Sequence, residues 1–62
     1  MLLLEILMES CKLTEMEARQ LILNTQVKIC NDPLNAKEII AENLTSDIAF
    51  IFDVRDILNF KT

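Results

Sequence analysis

The chain contains no glycine, and that omission restricts its fold more than any residue present. Tight β-hairpins rely on positive backbone angles, which glycine adopts freely and other residues adopt at a steric cost. Helices joined by short polar turns have no such need. The expected architecture is all-α: a small bundle of three to four short helices, forming a single domain over residues 1–62.

Start and stop signals divide the chain accordingly. The spacing predicts a first helix from about Leu2 to Cys11 or Lys12, with Glu5, Glu9 and Lys12 on one polar stripe and apolar residues elsewhere, so that it is buried on most sides. Thr14-Glu15-Met16-Glu17 reads as a capping box, in which the Thr14 hydroxyl accepts from the Glu17 amide and the Glu17 carboxylate accepts from the Thr14 amide. A second helix starts there and continues towards Cys30. Asn31-Asp32-Pro33 ends it, because the residue before a proline avoids the helical region and Pro33 has no backbone N–H to donate. Either Asp32, with Pro33 at the first helical position, or Asn35, with Glu38 three residues on, caps a short third helix reaching about Leu44. Thr45-Ser46-Asp47 caps a fourth, over Asp47 to about Phe60. Two stretches support a competing reading. Leu23 to Ile29 alternates like a strand and Ile48 to Phe52 is rich in strand formers, so the alternative is an α/β fold with one or two short strands near 24–29 and 48–54.

At about 100° per residue, the apolar positions of the second helix fall on two opposite sides. One stripe holds Ala18, Leu21, Ile22, Thr25 and Ile29; the other holds Met16, Leu23, Val27 and Cys30, with Arg19, Gln20, Asn24 and Gln26 between them. In the fourth helix, Phe50, Ile51, Val54, Ile57 and Leu58 form a broad face, from which Ile48, Phe52 and Phe60 are displaced. A helix with two apolar faces has to be covered twice. The residues expected to meet a partner are Met16, Leu23, Val27, Ile48 and Phe52.

Size sharpens that expectation. A domain of 62 residues buries only about 60% of the surface its unfolded chain exposes, yet 52% of these residues are hydrophobic. At about 25 cal/mol per Å² of apolar area, several large side chains left in water forgo a few kcal/mol, comparable with the net stability of a small domain. Homodimerisation, or a higher homo-oligomer, is the expected remedy. Staples are scarce: histidine is absent, and Cys11 and Cys30 supply at most one bridge or half the ligands of a structural zinc. Both cysteines lie in apolar runs and read as buried, reduced thiols. Glu38 with Glu42, and Asp53 with Asp56, lack calcium-loop or Glu-x-x-His spacing and read as solvated carboxylates, so no metal is expected.

Charge and missing residue types narrow the function. The formal net charge is −4, and Lys12, Arg19, Lys28, Lys37, Arg55 and Lys61 are scattered, which disfavours nucleic acid and anionic lipid as partners. The run Met1 to Met8 lacks a basic segment, is interrupted by Glu5 and is shorter than the ~20 apolar residues that span a bilayer, so a cytoplasmic protein with no membrane partner is expected. With no histidine, tyrosine or glycine, the usual acid–base groups and phosphate-cradling loops are missing; no catalytic residue, cofactor-binding residue or enzyme activity is expected. The sequence fits a small protein-binding regulator, inhibitor or adaptor that acts through apolar helix faces as a homo-oligomer. One alternative is a helix-turn-helix-like DNA-binding transcription regulator, whose recognition helix over Asn35 to Leu44 would set Lys37 against Glu38 and Glu42. Another is a structural subunit of a larger assembly.

Overall fold

The computed structural model describes residues 2–61. It is all-helical, with no strand among the described residues, so the α/β alternative at 24–29 and 48–54 is not realised. Among the described residues five α-helices follow one another: α1 (Leu3–Cys11), α2 (Glu15–Asn31), α3 (Ala36–Asn43), α4 (Ser46–Ile51) and α5 (Val54–Leu58), with a 3₁₀ turn at Pro33–Asn35. The longest, α2, is the platform on which α1, α3 and α5 pack, and α4 lies against α3 and α1.

A chain without glycine must still close its first helix. It does so with Lys12 in the left-handed region, at φ 53° and ψ 49°. A side chain there costs about 1–2 kcal/mol relative to the right-handed conformation. The gain is a tight exit: the Leu13 N–H reaches back to the Met8 carbonyl at 3.2 Å, the long bond of a Schellman-type close. Helix α1 is less enclosed than its composition predicts. Leu3 and Leu7 are buried, Leu4, Ile6 and Met8 are partly buried against the core, and Leu2 is exposed.

The Thr14 capping box is present in both directions. Glu17 N donates to Thr14 Oγ1 at 3.2 Å and Thr14 N donates to Glu17 Oε1 at 3.0 Å. The Thr14 amide, followed by its hydroxyl, holds the Glu17 carboxyl below its ordinary range. Because the folded-state value is depressed, this contribution is present above the unfolded carboxylate range and fades as the pH falls through the lowered value. Replacing Thr14 with alanine is expected to cost about 1 kcal/mol, read as a lower urea midpoint at neutral pH. Glu17→Gln should flatten the acid limb of the stability curve; an unaltered limb would mean that the charge of the Glu17 carboxylate adds nothing to folding.

Downstream caps differ in part from expectation. Pro33 opens the 3₁₀ turn, but neither Asp32 nor Asn35 makes a side-chain capping bond. The Asn35 amide instead donates to the Asp32 carboxylate at 2.9 Å, which removes Asn35 from the role the Asn-x-x-Glu spacing suggests. Thr45 does cap α4, accepting from Ile48 N at 3.0 Å. The predicted fourth helix is in fact two. Phe52 turns to extended backbone (φ −109°, ψ 141°) and Asp53 follows at φ −76° and ψ 162°, after which α5 restarts. Asp56 accepts from the Asp53 N–H at 3.1 Å, the returning half of a capping box.

The core comprises Leu3, Leu7, Ala18, Ile22, Ile29, Ala36, Ile40, Leu44, Ile48 and Ile57. Among the described residues one fully buried polar side chain joins it, Thr25, whose hydroxyl donates to the Leu21 carbonyl at 2.7 Å and so enters the interior satisfied.

Candidate interaction surface

Helix α2 carries two faces, and its own chain covers one of them. Ala18, Ile22, Thr25 and Ile29 are all buried, as the first apolar stripe predicts. On the opposite side Met16 is 82% exposed, Val27 52% and Leu23 39%, and Cys30 is exposed as well. Met16, Arg19, Gln20 and Leu23 line a shallow depression of about 370 Å³. It is open to solvent, unlike the enclosed clefts that bury most of a small ligand's surface.

Two of the five predicted contact residues lie elsewhere. Ile48 is fully buried in the core, and Phe52 is partly buried against it, so the structure removes Ile48 from the surface and leaves Phe52 half available. The cause is the break at Phe52–Asp53. Counting Asp47 to Phe60 as one helix gives α4 the wrong rotational phase, and the broad face of Phe50, Ile51, Val54, Ile57 and Leu58 includes three exposed residues, Phe50, Ile51 and Leu58. Burying Ile48 turns Phe50 outward, to 93% exposure. Leu34, in the 3₁₀ turn, is equally open at 95%. Cys30 was expected to be buried; it lies on the outward face of α2, while Cys11 is partly buried and both are free thiols.

The sequence gives no sign of what Gln26 does. Its amide nitrogen donates to two backbone carbonyls of the C-terminal segment, Ile57 O at 2.8 Å and Phe60 O at 2.8 Å. These bonds fasten the end of α5 along one flank of the outward stripe. On the α3 side, Lys28 Nζ donates to Asn43 Oδ1 at 2.7 Å, and Asn43 Nδ2 donates to the Ile39 carbonyl at 2.8 Å. Helix α2 is thus held by polar contacts to both α3 and α5, which keep its outward face in a fixed setting.

Carboxylates are spread over the surface. Among the described residues no three His, Cys, Asp or Glu side chains gather as a metal site requires, and no helix is long and apolar enough to cross a membrane. The Glu15–Arg19 pair, at 3.8 Å, is an exposed intrahelical contact of small energetic weight. No family model, curated protein or solved structure matches the chain.

Proposed function

We propose that this protein is a small non-enzymatic protein-binding module, a regulator, inhibitor or adaptor of the cytoplasm, that works as a homo-oligomer through the outward face of α2. One observation carries the reading: Met16, Leu23 and Val27 stand exposed on the same side of an ordered helix whose opposite side is fully occupied by the core. Apolar side chains aligned on a rigid element are the raw material of an interface, since they lose water on docking without ordering a flexible segment. Free thiols at Cys11 and Cys30 accord with a reducing compartment. The lack of histidine and tyrosine accords with binding in place of catalysis. DNA binding is the weaker reading, because exposed Glu38 and Glu42 accompany Lys37 on α3.

The test is the pair Leu23→Asp and Val27→Asp, studied by light scattering over a concentration series with far-UV circular dichroism as the folding check. The parent is expected to gain mass with concentration, and the double variant to remain at the protomer mass with unchanged helicity. Equal masses for parent and variant at every concentration would refute the reading.

A further inference from the structure

Along α2 the outward residues recur at spacings of four, three, four and three: Met16, Gln20, Leu23, Val27 and Cys30. That is the seam of a two-stranded coiled coil, with Gln20 and Val27 at a positions and Met16, Leu23 and Cys30 at d positions. Resting on the protein-binding reading above, we propose that this seam pairs with the same seam of a second copy, the two α2 helices running parallel and in register.

The polar layer selects the orientation. Gln20 donates one amide N–H to Asn24 Oδ1 at 3.1 Å and makes no other side-chain hydrogen bond among the described residues, which leaves its second N–H and its carbonyl oxygen to a partner. In a parallel, in-register pair Gln20 faces the second copy's Gln20, and the two amides can donate to and accept from each other. In the antiparallel alternative that stacks Met16 on Val27, Gln20 faces Leu23 and loses water with no partner in return. The flanking layer of β-branched Val27 at a, beside Leu23 at d, also favours two parallel strands.

Charge selects the occupant. The protein is acidic overall, at −4, yet the seam is bordered by Arg19 and Gln26 on one side and by Asn24 and Asn31 on the other. Glu17, at its N-terminal edge, is folded back onto the Thr14 amide. In the parallel register Arg19 lies beside the second copy's Asn24, whose amide oxygen can accept from the guanidinium. Two copies therefore meet along this strip without setting carboxylate against carboxylate. About two heptads are too short to pair as an isolated peptide. Here the helix is already ordered by its buried row, so pairing carries no nucleation cost. A strip of this length is about 21 Å long and covers roughly a few hundred Å² per copy, short of the ~800 Å² that a standard stable interface buries on each partner. The dimer is accordingly a weak, concentration-dependent one.

Cys30 is a built-in probe of the register, because the parallel pair brings two Cys30 thiols to the same layer. In a Cys11→Ser background, diamide accepts two electrons and two protons from the pair, becoming the hydrazine as the disulfide forms. The expected result is a covalent dimer on a non-reducing gel, formed about a hundredfold faster than in the same chain carrying Val27→Asp, as an effective concentration of about 1 mM implies against collisions at about 10 µM protein. Circular dichroism confirms that both chains are folded. A dimer by light scattering whose Cys30 thiols cross-link no faster than the Val27→Asp control overturns the parallel register and leaves the protein-binding reading standing. So does rapid cross-linking between Met16→Cys on one copy and Val27→Cys on the other in a chain without Cys11 and Cys30. A protomer mass at every concentration overturns the register and the oligomer together.

Discussion

Replacing Ile48 with aspartate is expected to unfold the protein at room temperature, whereas the same change at Phe50, two residues on, should leave its stability within about 0.5 kcal/mol of the parent. Ile48 is fully buried beneath α4, and Phe50 is 93% exposed on the opposite side. Truncating a buried isoleucine to alanine alone costs about 2–5 kcal/mol, and an unpaired carboxylate in that space adds a desolvation penalty. A domain of this length has a net stability on the order of 3–9 kcal/mol at 0.05–0.15 kcal/mol per residue. Loss of helicity in Ile48→Asp with retention in Phe50→Asp, read by circular dichroism, establishes the phase of α4. The opposite pattern would mean that α4 is rotated by half a turn and that Ile48 is a surface residue after all.

The same pair of residues shows where sequence reading succeeds and where it stops. Signals carried by neighbours three or four residues apart are legible: the Thr14–Glu17 box, the Thr45 cap, the stop before Pro33 and the buried row of α2 all depend on local spacing. The Phe52–Asp53 break does not announce itself by a proline or glycine. Its one local mark is Asp53-x-x-Asp56, a cap signature readable as a pair of solvated acids, and missing it reverses the face assigned to Ile48 and Phe50. Cys30 fails for a related reason. An apolar run makes burial plausible for every member, and only the position of the core decides which side of α2 is covered. Met16, Leu23 and Val27 were legible as a second stripe because opposition on a wheel survives any choice of neighbours. Gln26 was not, because its acceptors are backbone carbonyls 31 and 34 positions away.

Helix α2 thus performs two tasks that ordinarily fall to different elements. Its inner row organises the fold, and its outer row remains open. The two rows are separable, since Met16, Leu23 and Val27 stand outside the buried core cluster that the inner row builds. That separation lets a binding surface be tested in this protein without destroying the scaffold that presents it. The Ile48 and Leu23/Val27 experiments are therefore independent, one reading the interior and the other association.

Gln26→Glu is expected to release α5 from α2 while the rest of the fold persists. The substitution preserves shape but exchanges an NH₂ group that donates twice for a carboxylate oxygen facing the carbonyls of Ile57 and Phe60 at the former 2.8 Å. Two hydrogen bonds become two repulsive contacts between oxygens. Each unsatisfied buried group costs about 1–3 kcal/mol; these two contacts are part-buried, and solvent screening reduces the penalty, so a loss of roughly 1–3 kcal/mol is expected at neutral pH. Because α5 is short, it has little intrinsic helicity to fall back on. The readout is amide exchange at Ile57 and Asn59, which donate to Asp53 and Arg55 within the last helix; both should exchange far faster, while Ile22 and Ile29 in α2 remain protected. The new carboxyl is disfavoured as an anion in the folded state, so its folded pKa lies above the unfolded value. The penalty is consequently absent below the unfolded carboxylate range and grows as the pH rises through it, and acid should return part of the protection by restoring one donor. Exchange at Ile57 and Asn59 that is unchanged at neutral pH would show that apolar packing alone, through Ile57, holds the C-terminal segment in place.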